Sequence, residues 1–166
     1  MGAVGSAFDF LYPRNVSGSG GAVRASHVDD YERGGDPVKI SAGAFWLVNL
    51  DPTDESAGGG SGLLALWQKC PHLGCAVPWL GGFRFQDRSG WFRCPCHRST
   101  YTRAGVRVFG PATRSMDTML VTVDEQGRVT VQTGEIERGG PDNPTRALDL
   151  HPKSSPSVGA QASGPS

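Results

Sequence analysis

All four cysteines of this 166-residue chain fall in two short boxes, Cys70-Pro-His72-Leu73-Gly-Cys75 and Cys94-Pro-Cys96-His97-Arg98-Ser99-Thr-Tyr101. Two of its four histidines lie in the same boxes. Each box offers one thiolate and one imidazole at close spacing, plus a second cysteine. Two sulfurs and two ring nitrogens are a donor set for a [2Fe–2S] cluster, with Cys70 and Cys94 on one iron and His72 and His97 on the other. Exchanging two thiolates for neutral imidazoles removes negative charge from the site. The potential then rises to roughly −150 to +300 mV, against about −400 mV for plant-type clusters held by cysteine alone. The chemistry is that of a one-electron carrier.

Cys75 and Cys96 are left over, in two loops that must converge on one cluster. A disulfide between them needs Cα atoms within roughly 4.4–6.8 Å. It would tie the loops together and place the domain in an oxidising compartment. Two other readings use the same residues. Structural zinc accepts mixed nitrogen and sulfur ligands, but it usually pairs Cys-x-x-Cys with His-x(3–5)-His and would leave the second cysteine pair idle. Two disulfides without metal would make both histidines coincidental.

The elements that carry these boxes read as β. Strands are expected at Ala44–Leu50, Leu63–Trp67, Gly82–Gln86, Trp91–Arg93, Val106–Phe109, Met119–Asp124 and Val129–Thr133, with Glu125-Gln126-Gly127 as a hairpin turn. No long stretch repeats at the helical period. Glycine (24) and proline (12) exceed a fifth of the chain, so turns are abundant. Residues 1–37 read as an N-terminal segment and flexible linker, 38–138 as one domain with its cluster-binding part at about 68–113, and 139–166 as a mobile or surface-draped tail. Sixteen basic and sixteen acidic residues cancel, and no Lys/Arg-rich run supports binding to nucleic acid. The apolar stretches of residues 1–13 are far shorter than the ~20 residues of a spanning helix. His27 and His151 read as surface histidines, and the four tryptophans as packing.

The two boxes resemble those of the Rieske iron–sulfur proteins of cytochrome bc-type quinol oxidoreductases, Cys-Thr-His-Leu-Gly-Cys and Cys-Pro-Cys-His-Gly-Ser-x-Tyr. The resemblance runs more weakly from about Lys39 to Thr133. It implies an all-β fold, a Rieske-like antiparallel β-sandwich base with a small cluster-binding subdomain formed by two loops. It implies one [2Fe–2S] cluster per chain on Cys70, His72, Cys94 and His97, and a Cys75–Cys96 disulfide. Ser99 matches a hydroxyl that bonds a bridging sulfide, and Tyr101 a phenol that bonds a ligand sulfur; both raise the potential. Leu73 matches an exposed leucine where quinol docks, and Gly110-Pro111 a loop that covers the cluster. His72 and His97 would take a proton and an electron from quinol, so the potential falls as pH rises.

The implied partners are a quinol, a c-type cytochrome and a cytochrome b subunit. The implied location is the extracytoplasmic face of a bacterial membrane, with an anchoring N-terminal helix outside this chain. A small Rieske subunit of a molybdenum oxidoreductase, or a soluble Rieske ferredoxin, is the rival within the same chemistry. Three departures stand out. Arg98 replaces a usual glycine, Thr113 replaces a proline that often follows, and 21 residues separate His72 from Cys94. Trp79–Gly82 and Asp87–Gly90 place a hairpin extension in that interval.

Overall fold

The computed structural model describes residues 21–150. Ten strands and four short 310 segments make up the regular structure, with no α-helix among the described residues. Six strands form the larger sheet: β1 (Ala22–His27), β2 (Val38–Ile40), β3 (Phe45–Leu50), β4 (Gly62–Trp67), β9 (Thr118–Val123) and β10 (Arg128–Glu137). Their order is β1-β10-β9-β4-β3-β2. The smaller sheet runs β5 (Trp79–Phe85), β6 (Arg88–Arg93), β7 (Thr100–Tyr101) and β8 (Arg107–Phe109) in sequence order. Every pairing is antiparallel.

β3 and β4 lie at the centre because both faces of this hairpin are apolar. Alternate residues of a strand point to opposite sides. Trp46, Val48, Leu50, Leu64 and Leu66 therefore face the smaller sheet, where Phe92, Tyr101 and Met116 meet them. Phe45, Leu47, Leu63 and Ala65 face the other way, into a second core with Val121, Val129 and Val131. Phe92 joins the sheets, with Trp46 and Trp79 edge-on to its ring at centroid distances of 5.6 and 4.9 Å. Burying Phe92 completely is worth about 1.5–3 kcal/mol. The indole N–H of Trp46 donates to the Val77 carbonyl at 2.9 Å, which fixes the entry to the smaller sheet.

Arg103 is a second tie. Its Nε donates to Asp54 at 3.2 Å, its guanidinium lies 4.8 Å from the Trp79 ring centroid, and it bonds the Gly35 carbonyl. Three segments distant in sequence are thus held by one side chain.

Two expectations are corrected. Residues 22–37 are not linker: β1 pairs with β10 along Val23↔Val131, and Tyr31 is buried in the second core. The glycines and serines before it mask a short strand whose alternate residues, Val23 and Ala25, are half-buried. Residues 142–150 are not a draped tail either. Asn143 is fully buried, and its side-chain amide donates to the carbonyls of Met116 (2.8 Å) and Ala104 (3.3 Å). Leu148 bridges Leu63. A polar residue reads as loop in sequence, yet here it satisfies buried carbonyls. The cluster-binding part is formed by two loops as expected, and a four-stranded sheet carries them. Residues 1–20 and 151–166, including His151, lie outside the described residues.

Candidate metal centre

The two boxes adopt the same backbone frame. In the first, Cys70 N–H donates to Cys75 O (2.8 Å) and Gly74 N–H donates to Cys70 O (2.9 Å). In the second, Cys94 N–H donates to Ser99 O (2.8 Å) and Arg98 N–H donates to Cys94 O (3.0 Å). Each leading cysteine thus closes a turn on the residues four and five ahead. The residue four ahead is left-handed in both, Gly74 at φ 79° and Arg98 at φ 63°. Glycine takes that conformation freely, whereas an arginine costs about 1–2 kcal/mol there. The usual glycine at position 98 therefore has a backbone reason, and Arg98 adopts its conformation regardless.

β4 delivers the first turn and β6 the second, and β7 leads away from it. Cys70 and Cys94 are buried and unpaired by disulfide. Burial pushes the Cys94 thiol up, and the adjacent Cys70 adds to this; the backbone N–H groups of Cys96 and His97 bond its sulfur and partly offset the rise. Those amides favour an anionic sulfur. On the outer side His72 is half-buried and His97 exposed, with rings edge to face at 4.8 Å between centroids. The two unpaired sulfurs are thus buried beside each other, and the two imidazoles lie against one another. This donor arrangement fits a binuclear centre with one iron on sulfur and one on nitrogen. The sulfurs of Cys75, Cys94 and Cys96 also lie within 4.8 Å of one another. Cys75 and Cys96 are joined to each other, with Cα atoms 6.6 Å apart, so only Cys94 of the three offers a thiolate.

Tyr101 and Ser99 back the inner side, both with no exposed surface. The Tyr101 hydroxyl lies 3.1 Å from Cys70 Sγ. Burial, then contact with Cys70, pushes the phenol well above its ordinary value, so it stays protonated with a proton to donate to the Cys70 sulfur. Ser99 Oγ accepts from Ala112 N–H at 3.0 Å, which leaves its own proton to donate elsewhere. Gly110 (φ 97°) lies flat on this residue, where a Cβ would come within 2.4 Å of the Ser99 Cα. The segment Gly110–Ala112 thereby covers the back of the second box, with Pro111 exposed. Leu73 protrudes at the outer tip, 72% exposed.

The interval between the boxes is the β5–β6 hairpin. Its turn residues, Gln86 and Asp87, both have positive φ (49° and 61°). Such a turn is usually signalled by Asn-Gly, and its absence explains why the sequence shows only parts of both strands. Sequence reasoning also missed the backbone amides at the Cys94 sulfur and the Arg103 tie; neither leaves a motif.

The chain matches the Rieske [2Fe-2S] domain family over residues 22–132. It is 33% identical over 147 residues to the cytochrome b6-f complex iron-sulfur subunit 2 of the Cyanophora paradoxa cyanelle, an alignment covering 80% of this chain and 56% of the relative. It is 30% identical over 162 residues to the cytochrome b6-f complex iron-sulfur subunit of Synechococcus sp. (strain CC9605), covering 87% of this chain and 82% of that one. The chain spans about half the length of the Cyanophora subunits it matches. Among solved structures it is similar to a hyperthermophilic respiratory Complex III chain, with a TM-score of 0.47, 22% identity, and coverage of 72% of this chain and 81% of that chain. This protein belongs to the Rieske [2Fe–2S] family. Its curated relatives named above are iron–sulfur subunits of cytochrome b6-f complexes.

Proposed function

We propose that Cys70, His72, Cys94 and His97 hold one [2Fe–2S] cluster, and that the domain takes an electron and a proton from a quinol and passes the electron to a c-type cytochrome. When bound, the cluster supplies one-electron chemistry at a potential raised by its two imidazole ligands. Cys70 and Cys94 anchor it from the buried side. His72 and His97 present their rings outward, where the nitrogen not engaged with metal accepts the quinol proton. Leu73 offers the exposed apolar contact for the quinone ring. Tyr101 donates to the Cys70 sulfur and withdraws charge from it, and the Ser99 hydroxyl, hydrogen-bonded to Tyr101, backs the same face. The Cys75–Cys96 disulfide holds the two turns in register around the site.

In this reading the domain is the electron-transfer part of a quinol:cytochrome c oxidoreductase, seated against a cytochrome b subunit on the extracytoplasmic face of a membrane. No helix among the described residues is long and apolar enough to cross a membrane. The observation that carries the reading is the Tyr101–Cys70 contact behind a disulfide-stapled pair of turns, a high-potential arrangement. The test is a redox titration across pH with the reconstituted domain, followed optically and by electron paramagnetic resonance. A positive midpoint at neutral pH that falls as pH rises is expected. A midpoint well below zero would sink the quinol reading and favour a low-potential ferredoxin role.

A further inference from the structure

The zero net charge conceals a strong segregation. Residues 68–113, which hold both boxes and the smaller sheet, carry seven arginines and lysines against a single acid, Asp87. The other described residues carry seven basic and fourteen acidic side chains. Two of the seven cations are spent within the molecule, Arg88 on Glu55 and Arg103 on Asp54. Lys69, Arg84, Arg93, Arg98 and Arg107 have no carboxylate partner among the described residues. Lys69 and Arg93 each directly precede a leading cysteine, and Arg98 directly follows His97.

Arg93 and Arg98 line one open groove beside the second box, with Pro78, Leu80, Phe83, Cys94 and Pro95. Its walls are apolar, and Leu80 is 37% exposed. The Arg93 guanidinium is stacked at 4.1 Å from the Phe83 ring centroid, which holds its fork in place. Arg98 presents a second fork from a left-handed backbone position that disfavours any side chain. A fixed planar guanidinium matches a carboxylate in two-pronged fashion.

We propose that this groove docks an acidic surface of the domain's redox partner, a negatively charged loop flanked by apolar residues, and so brings the partner against His97. The inference rests on the electron-carrier reading above. The acidic remainder of the molecule repels the same surface and so orients the encounter. A concave groove with two forks suits a protruding protein loop; a flat anionic bilayer would instead spread over Leu73 and the histidines.

The probes are an acidic and a basic c-type cytochrome, each immobilised on a sensor, with the holo-domain flowed over them. The variants are Arg98→Glu and Lys39→Glu. Both change the charge by the same amount, and Lys39 lies exposed on β2 of the larger sheet. The association rate with the acidic cytochrome should drop roughly tenfold or more as salt rises from about 20 to about 300 mM. Arg98→Glu should lose most of that rate at low salt, while Lys39→Glu keeps it and the basic cytochrome binds weakly throughout. Equal losses in the two variants, or equal binding of both cytochromes, overturns the proposal. Sedimentation of the domain with phosphatidylglycerol vesicles, without binding to the acidic cytochrome, assigns the groove to a membrane and also overturns it. The midpoint potential is measured on the same samples. A low midpoint with intact salt-dependent binding removes the quinol reading alone; a high midpoint without such binding removes the groove alone.

Discussion

The hydroxyl of Tyr101 is the smallest feature to which the proposed function ties a redox consequence. It contacts the Cys70 sulfur from a fully buried position and stays protonated there. Tyr101→Phe removes the hydroxyl with little change of shape, so the fold should persist and the potential should fall. A bond that is stronger by about 1 kcal/mol in the reduced state moves a one-electron couple by about 40 mV. A voltammetric midpoint equal to that of the parent protein would show that the hydroxyl has no electronic part. At Arg98 the sign runs the other way. Arg98→Gly relieves a left-handed arginine but adds backbone freedom to the unfolded chain, so stability should rise by less than about 1 kcal/mol, read as a small increase in the urea midpoint. The proposed donor residues stand out in the sequence because sulfur and imidazole at short spacing have few other uses. Their supports do not, since the amides of Cys96 and His97 belong to the backbone and carry no residue-type signal.

At the scale of elements, the turn pair depends on the segment that covers it. Gly110 has a positive φ and no space for a Cβ against Ser99. Gly110→Ala should therefore cost about 2–3 kcal/mol and loosen Ser99 as well, seen as a lower thermal midpoint together with a shifted visible circular dichroism spectrum. The strands of the central hairpin were plain in the sequence, because runs such as Phe45–Leu50 are apolar on both faces. β7 was not, since two residues, Thr100 and Tyr101, are too few to show alternation. β1 was hidden for a different reason: it is stabilised by pairing with β10 more than by its own composition. The long β10 outran its expected end at Thr133 because an irregularity between Gln132 and Ile136 lets pairing with β9 resume.

Across the whole molecule, the two sheets are fastened by a few polar ties around an apolar layer. Arg103 is the most consequential, being mostly buried and bonded to both Asp54 and Gly35. Arg103→Met should cost about 1–3 kcal/mol, measured by chemical unfolding, since it strips charged hydrogen bonds while keeping part of the packing on Trp79. Acid should weaken the larger sheet and its C-terminal flank. Asp124 is held below its ordinary value chiefly by the backbone N–H of Arg128, and Asp142 by the Arg146 side chain. Depressed carboxylates stabilise the fold above their unfolded values and lose that contribution as pH falls through the folded ones. Stability should thus be level near neutrality and decline below about pH 4, modestly because both groups are exposed. A urea midpoint unchanged between neutral and strongly acidic pH would contradict this.

The Cys75–Cys96 bond spans a sequence separation of 21 and encloses the entire β5–β6 hairpin, making that stretch a covalent ring. A protease that nicks the ring at Asp87 leaves two polypeptides that cannot part. The nicked protein should run as one band on a denaturing gel without reductant and as two bands with it.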